Sequence, residues 1–239
     1  LICGPVGVGK TFLAQCYAGA VGIPCITILN FRSKYVGETE ANLERILFVV
    51  RELGPVAVIV DEADAAVGDR TASGDSGTSA RVFAQLASQM GNTQYRGKII
   101  WFLLTCRPDL LPIDLKRQGR CEEHIPLFYP ETVEDRKEMF LAMAKKLKLP
   151  LDEKSLPDLS KTPSLSGADI ESVLTRVRRE SLVQERPIDA KLVQEVVDNF
   201  RSLRSQAHEL QLIAAILESS DQRYLPEKVR NQISSPEQY

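Results

Sequence analysis

Apolar residues along this chain fall into short unbroken runs, and between the runs they recur at helical spacing. Leu1-Ile2-Cys3 runs straight into a Gly-rich turn, after which Lys10 to Ala20 reads as a helix. The β-branched run Cys25 to Leu29 predicts a second buried strand. From about Thr39, Leu43, Ile46, Leu47 and Val50 recur at i, i+3, i+4, i+7, which predicts a helix with one buried face. Val56 to Val60 is the continuous apolar run of a strand covered on both sides in a parallel sheet. Residues 68–79 are rich in Gly, Ser, Thr and Asp and predict a mobile loop. A helix through Val82 to Met90, a strand from Lys98 to Thr105 and a last strand near His124 to Leu127 follow. Strands alternating with helices predict right-handed crossovers and a doubly wound, parallel α/β sheet.

After Phe128-Tyr129-Pro130 the strand signal stops and only helical periodicity remains. Thr132 with Asp135, and Ser166 with Asp169, have the spacing of reciprocal N-terminal caps. Ile170, Val173, Leu174 and Val177 follow the second pair. Leu192, Val193, Val196, Val197, Phe200 and Leu203 mark another amphipathic helix, and Leu210 to Leu217 a last one. The pattern predicts an α/β domain over 1–129, a small all-α domain over 130–205, and a C-terminal helix and tail over 206–239. The tail from Ser219 is polar, contains two prolines, and is expected to pack poorly.

Composition narrows the class. The 239 residues are 44% apolar and 26% charged, enough for a substantial core and too apolar for disorder throughout. Thirty Lys and Arg against 32 Asp and Glu leave a formal charge of −2, which argues against a strongly basic nucleic-acid module. The longest apolar runs fall far short of the ~20 residues of a membrane span. Five scattered cysteines, odd in number, predict a reduced, cytoplasmic setting, with an organelle stroma or matrix as the alternative. Leu1 opens an apolar run already in progress without an initiator Met, so a piece of a longer chain is expected.

Two stretches carry chemistry. Gly4-Pro5-Val6-Gly7-Val8-Gly9-Lys10-Thr11 fits G-x-x-x-x-G-K-[ST] between a strand and a helix. Glycines let such a loop turn its backbone N–H groups inward toward phosphate, and the helix N-terminus adds positive potential. Lys10 is expected to reach the β/γ-phosphates and Thr11 to ligate Mg²⁺. The apolar strand ending in Asp61-Glu62 opens onto the ligand crevice of a parallel sheet. Asp61 is expected to hold the metal's hydration shell, and Glu62 to orient and deprotonate an attacking water.

With these motifs the chain resembles the AAA branch of the AAA+ ATPases, from Leu1 to about Phe200. The resemblance implies a P-loop α/β domain with a helical lid, ATP or ADP with Mg²⁺ as cofactors, and nucleotide contacts from Gly4 through Phe12, Asp61, Gly167 and Ala168. Ser33 to Glu38 is similar to the family's first pore loop, with Lys34, Tyr35 and Val36 gripping a polypeptide. Thr105-Cys106-Arg107-Pro108-Asp109 resembles the sensor-1 segment, Arg117-Gln118-Gly119-Arg120 the arginine-finger segment, and Ser166 to Asp169 the lid's Gly-Ala-Asp stretch. The plainer alternatives are that Tyr35 is a loop aromatic packed on its neighbour and that Arg117 and Arg120 are ordinary surface arginines. His124 and His208 lack metal-like companions and read as structural. Arg176, Arg178 and Arg179 read as the polar side of a helix.

One position departs from the pattern. Cys106 stands where the family usually has Asn, and a thiol is a weak partner that cannot replace an amide. Either Thr105 takes over as sensor or turnover is slow. The resemblance therefore implies an ATP-driven ring, a homohexamer with fingers used in trans, that remodels, unfolds or disassembles a protein substrate. The alternative is a slow or inactive nucleotide-dependent scaffold. A DNA-acting motor is a third reading, disfavoured by the near-neutral charge.

Overall fold

A computed structural model describes residues 1–28, 38–67, 78–160, 162, 164–202 and 206–233. The chain forms two compact units. One comprises Leu1–Pro5, Lys10–Leu127 and the chain from Leu210 onward; the other comprises Val6–Gly9 and Phe128–Glu209.

The first unit is built on β1 (Ile2–Cys3), β2 (Cys25–Ile28), β3 (Val56–Val60), β4 (Ile99–Thr105) and β5 (Ile125–Pro126). Among the described residues these make one five-stranded sheet in the order β2-β3-β4-β1-β5, with every pairing parallel. The crossovers carry α1 (Lys10–Val21), α2 (Glu38–Glu52), α3 (Ala63–Val67), α4 (Thr78–Met90) and the short α5 (Ile113–Lys116). β3 is buried along its whole length, as its unbroken apolar run predicts. Val56, Val58 and Val60 join a core with Leu43, Leu47 and Val50 of α2 and Val82, Leu86 and Met90 of α4. Ile59 faces the other way, into a smaller core with Ile2, Ala14 and Leu104. Each fully buried aliphatic of this kind contributes roughly 1.5–3 kcal/mol. Ala14 and Ala18, one turn apart, are the buried residues of α1, so small side chains let that helix lie close to the sheet.

β2 corrects one expectation. It is an edge strand, with Cys25 exposed and Ile28 alone buried. A β-branched run reads the same at the edge of a sheet as at its centre. Of the predicted loop at 68–79, residues 68–77 lie outside the described residues, as does Leu29, while Thr78 and Ser79 belong to α4.

The second unit holds α6 (Val133–Lys146), α7 (Gly167–Val183) and α8 (Ala190–Asp198). Both predicted caps form. The Asp135 amide donates to the Thr132 hydroxyl at 3.0 Å, the Asp169 amide to the Ser166 hydroxyl at 3.0 Å, and each carboxylate accepts from its cap's own N–H. Such caps are worth about 0.5–2 kcal/mol each. Phe140, Ile170, Val173, Leu174, Val177, Leu192 and Val193 form the core of this unit. α8 ends earlier than its periodicity suggests. Asn199 caps it, with the side-chain amide donating to the Glu195 carbonyl at 2.8 Å, so Phe200 falls beyond the helix under the Arg176 guanidinium. Leu203 lies outside the described residues.

α9 (Gln206–Glu218) and α10 (Glu227–Ile233) complete the chain. Here the tail departs from the expected loose packing. From Leu210 it groups with the sheet unit, Leu225 is buried, and the Ser220 amide donates to the His124 carbonyl at 3.1 Å. A polar composition hid this because Ser220 and Tyr224 attach the tail through hydrogen bonds to Glu123 and His124. No helix among the described residues is long and apolar enough to cross a membrane.

Candidate functional site

The loop between β1 and α1 turns on three glycines with positive φ, Gly4 (146°), Gly7 (81°) and Gly9 (96°). Gly4 is doubly constrained, because a Cβ there would also come within 2.3 Å of the Leu127 carbonyl oxygen of β5's extension. Only glycine lets the loop leave the strand so close to a neighbouring backbone. In the second unit, a Cβ at Gly7 would meet the Ser166 hydroxyl at 2.8 Å and the Ala168 methyl at 3.3 Å. Gly167 and Ala168, expected at the nucleotide, stand at the first turn of α7 beside Gly7.

Lys10 opens α1 and folds its ammonium back over the loop. Nζ donates to the Gly4 and Pro5 carbonyls at 2.9 Å each and lies 3.1 Å from the Cys106 sulfur. Cys106 is the residue just beyond β4, so the parallel pairing of β1 with β4 brings the two together. Thr11 donates its hydroxyl to Asp61 Oδ2 at 2.8 Å. Asp61 follows β3 directly, and its Oδ1 accepts from the Glu62 amide at 2.9 Å. Glu62 is exposed and holds φ at +48°, an uncommon conformation for a residue with a side chain. Strain of this kind concentrates at functional sites. Phe12, 67% exposed, takes no part in these bonds among the described residues.

Thr105, the other residue expected as a sensor, lies at the end of β4. It is 1% exposed, donates to Asp64 Oδ1 at 2.5 Å and accepts from the Arg107 amide at 2.9 Å. Its hydroxyl ties β4 to α3, leaving Cys106 as the side chain beside Lys10. Asp64 is a residue that sequence reasoning passed over, although its place three residues after Asp61 at a strand end was a usable signal.

Arg117 and Arg120 lie between α5 and β5. Arg117 is exposed, with Nε 3.6 Å from Asp114, and Arg120 donates to the Asp114 carbonyl at 2.6 Å. Among the described residues their partners lie within their own segment, apart from Lys10, Thr11 and Asp61. Lys34, Tyr35 and Val36 lie outside the described residues.

A second polar cluster, unforeseen from sequence, flanks the arginine segment. His124 Nδ1 faces the Glu218 carboxylate at 3.0 Å and its carbonyl at 3.2 Å, while Nε2 faces the carbonyls of Lys116 at 3.1 Å and Cys121 at 3.0 Å. All four partners are acceptors, and a neutral imidazole carries a single N–H. The arrangement is satisfied in full by an imidazolium. The bond to Glu218 accordingly raises the His124 pKa above its ordinary 6.5, against the opposing effect of burial. Burial would push Glu218 up, but the bonds from His124 and Lys116 outweigh it and hold the carboxyl below 4.5. The nearby Cys3 and Cys121 thiols are raised by burial, Cys3 to about 12, and stay neutral.

The sign follows from linkage. A raised histidine contributes stability in full below its unfolded value and loses it as pH climbs through the folded value; a lowered carboxyl contributes above its unfolded value and loses it as pH falls through the folded one. The stability difference between the native protein and His124→Gln is therefore expected to be largest near pH 4.5–6.5 and to shrink as the solution becomes alkaline. Thermal unfolding across that range reads it, and a difference independent of pH would mean that the ring is neutral throughout.

Comparison with known proteins places this geometry in context. The profile described as ATPase family associated with various cellular activities (AAA) matches residues 1–129. The chain is 32% identical over 176 residues to the Cell division cycle protein 48 homolog of Archaeoglobus fulgidus, covering 72% of this chain and 24% of that protein. It is 31% identical over 194 residues to the peroxisomal ATPase pex6 of Schizosaccharomyces pombe, covering 76% and 20%. With the proteasome-activating nucleotidase of Pyrococcus horikoshii it shares 30% identity over 226 residues, covering 88% and 55%. The chain thus spans a quarter or less of the first two relatives and about half of the third. Because the matched stretch takes in the first strand, the glycine loop and the acidic strand end together, the chain belongs to the AAA family of ATPases.

Proposed function

We propose that this chain is the ATP-hydrolysing core of a homohexameric ring that remodels, unfolds or disassembles a protein substrate. The observation that carries the nucleotide part is the 2.8 Å bond between Thr11 and Asp61, formed one residue from the Lys10 ammonium. Phosphate-binding loop, cation-binding hydroxyl and strand-end carboxylate then converge as ATP chemistry needs. Gly4 to Gly9 offer backbone N–H groups to the phosphates, with Phe12, Gly167 and Ala168 as further nucleotide contacts. Lys10 exchanges its carbonyl partners for phosphate oxygens. Thr11 and Asp61 are hard oxygen donors that fit Mg²⁺, which when bound neutralises phosphate charge. Glu62 orients and deprotonates water. Arg117 and Arg120 reach a neighbour's γ-phosphate, a role supported by their remoteness in bonding from their own chain's Lys10. Lys34, Tyr35 and Val36 grip the polypeptide by family resemblance. Relatives named as an ATPase and a proteasome-activating nucleotidase agree with the reading. The cysteines are all free thiols, in keeping with a reduced, cytoplasmic setting.

The test is ATP turnover per subunit as protein concentration rises, in the full-length protein. Turnover that climbs cooperatively is expected, since each site needs a neighbour's arginines. A second reading has one observation behind it. The Cys106 thiol beside Lys10 is a weak partner, and losing a positioning amide costs roughly 10²–10³ in rate. A flat, near-zero rate with nucleotide still bound would favour an ATP-dependent scaffold.

A further inference from the structure

The arginine segment is held at both ends by one short piece of chain from far along the sequence. Lys116, immediately before Arg117, donates to Glu218 Oε2 at 2.7 Å and to the Pro108 carbonyl at 3.1 Å. Its own carbonyl is held by His124 Nε2. Lys116 and Glu218 expose 12% and 14% of their side chains, so the pair is shielded from water and less screened than a surface bridge. On the far side of Arg120, the His124 amide donates to the Ser220 hydroxyl at 2.9 Å, and the Ser220 amide returns a bond to the His124 carbonyl. Glu123 accepts from the Tyr224 hydroxyl at 3.2 Å and from Ser220 at 3.3 Å.

Between these two feet the segment is short and internally tied. Leu115 and Cys121 are buried, and the Cys121 amide donates to the Leu115 carbonyl at 3.1 Å. What remains outside is the turn carrying Arg117, Gly119 and Arg120. Glu218 serves both feet at once, because one oxygen takes the Lys116 ammonium and the other the His124 ring. It bonds to none of Lys10, Thr11, Asp61 or Glu62.

We infer that Glu218 is a positioning residue for the Arg117–Arg120 segment, and that the stretch Glu218–Tyr224 is a brace presenting those arginines to a neighbouring subunit. The inference rests on the proposal that the arginines act in trans. A guanidinium stabilises the transition state only where charge develops, and a misplacement of about 1 Å can cost around 10²-fold in rate. A turn with two loose feet would hold no such position. An effect passed through the brace falls on the neighbour's site and leaves the subunit's own nucleotide site intact.

That asymmetry supplies the experiment. In the full-length protein, Glu218→Ala is expected to lower ATP turnover about 100-fold with the affinity for a fluorescent ATP analogue unchanged. Mixing it with Glu62→Gln should restore turnover above the sum of the two samples alone. The Glu218→Ala subunits keep an intact site of their own and receive well-placed arginines from Glu62→Gln neighbours. A parallel mixture of the Arg117→Ala/Arg120→Ala double variant with Glu62→Gln tests the trans reading by itself. Restoration in both mixtures supports the inference. Restoration in the arginine mixture alone overturns the brace and leaves the trans reading standing, because a fold or own-site defect would not be complemented. Restoration in neither overturns both. Ser220→Ala and Tyr224→Phe loosen only the second foot and carry the same test where Glu218→Ala does not fold.

Discussion

Arg117→Ala and Arg120→Ala are each expected to cut ATP turnover by about 10³-fold or more while leaving nucleotide affinity nearly unchanged. Arg117 stands exposed, 3.6 Å from Asp114, and Arg120 rests on the Asp114 carbonyl, so neither is bonded to Lys10, Thr11 or Asp61. A group absent from its own subunit's nucleotide contacts adds little to ground-state binding there. Its effect appears when charge builds on the transferring phosphoryl group, which lowers kcat with little change in affinity. Phosphate release under saturating ATP, beside titration with a fluorescent analogue, separates the two. Wild-type turnover in both variants would remove the arginines from the mechanism.

Glu62→Gln is expected to lower turnover by about 10²–10⁴-fold, again with binding retained. The amide is close to isosteric and keeps a hydrogen-bond acceptor, but it cannot take a proton from water. Binding survives because the Lys10 bonds to the Gly4 and Pro5 carbonyls and the Thr11–Asp61 bond do not involve the Glu62 side chain; only the Glu62 amide engages Asp61. Residual turnover equal to wild type would mean that another group activates the water, and Asp64, bonded to Thr105, would be the first to test.

Much of this arrangement was legible in the residues themselves. The unbroken apolar run of β3 announced a strand buried on both faces, and the capping pairs Thr132/Asp135 and Ser166/Asp169 formed as their spacing required. G-x-x-x-x-G-K-T and the strand-end acids singled out Thr11 and Asp61, which the fold joins, because each motif is local in sequence. Legibility failed where partners lie far apart. Nothing near His124 signals that its ring meets Glu218 across a parallel sheet unit, and a polar tail gave no hint of the bonds it makes. β2 was read as buried because strand order, which placed it at the edge, is set by crossovers and not by the strand's own residues.

The strand order also has a consequence during synthesis. β1 is inserted between β4 and β5, with Ile2 opposite Leu104 on one side and Ile125 on the other. The strand that delivers the glycine loop is therefore made well before either of its neighbours. At about 5–20 residues per second, translation needs roughly 6–25 s to travel from Ile2 to Ile125. Within that interval β2 and β3 can pair, while β1 waits with both edges open until β4 is made and with one edge open until β5 is. A nascent chain cannot finish the sheet that carries the glycine loop until β5 has left the ribosome, and β1 is the strand a chaperone would need to shield.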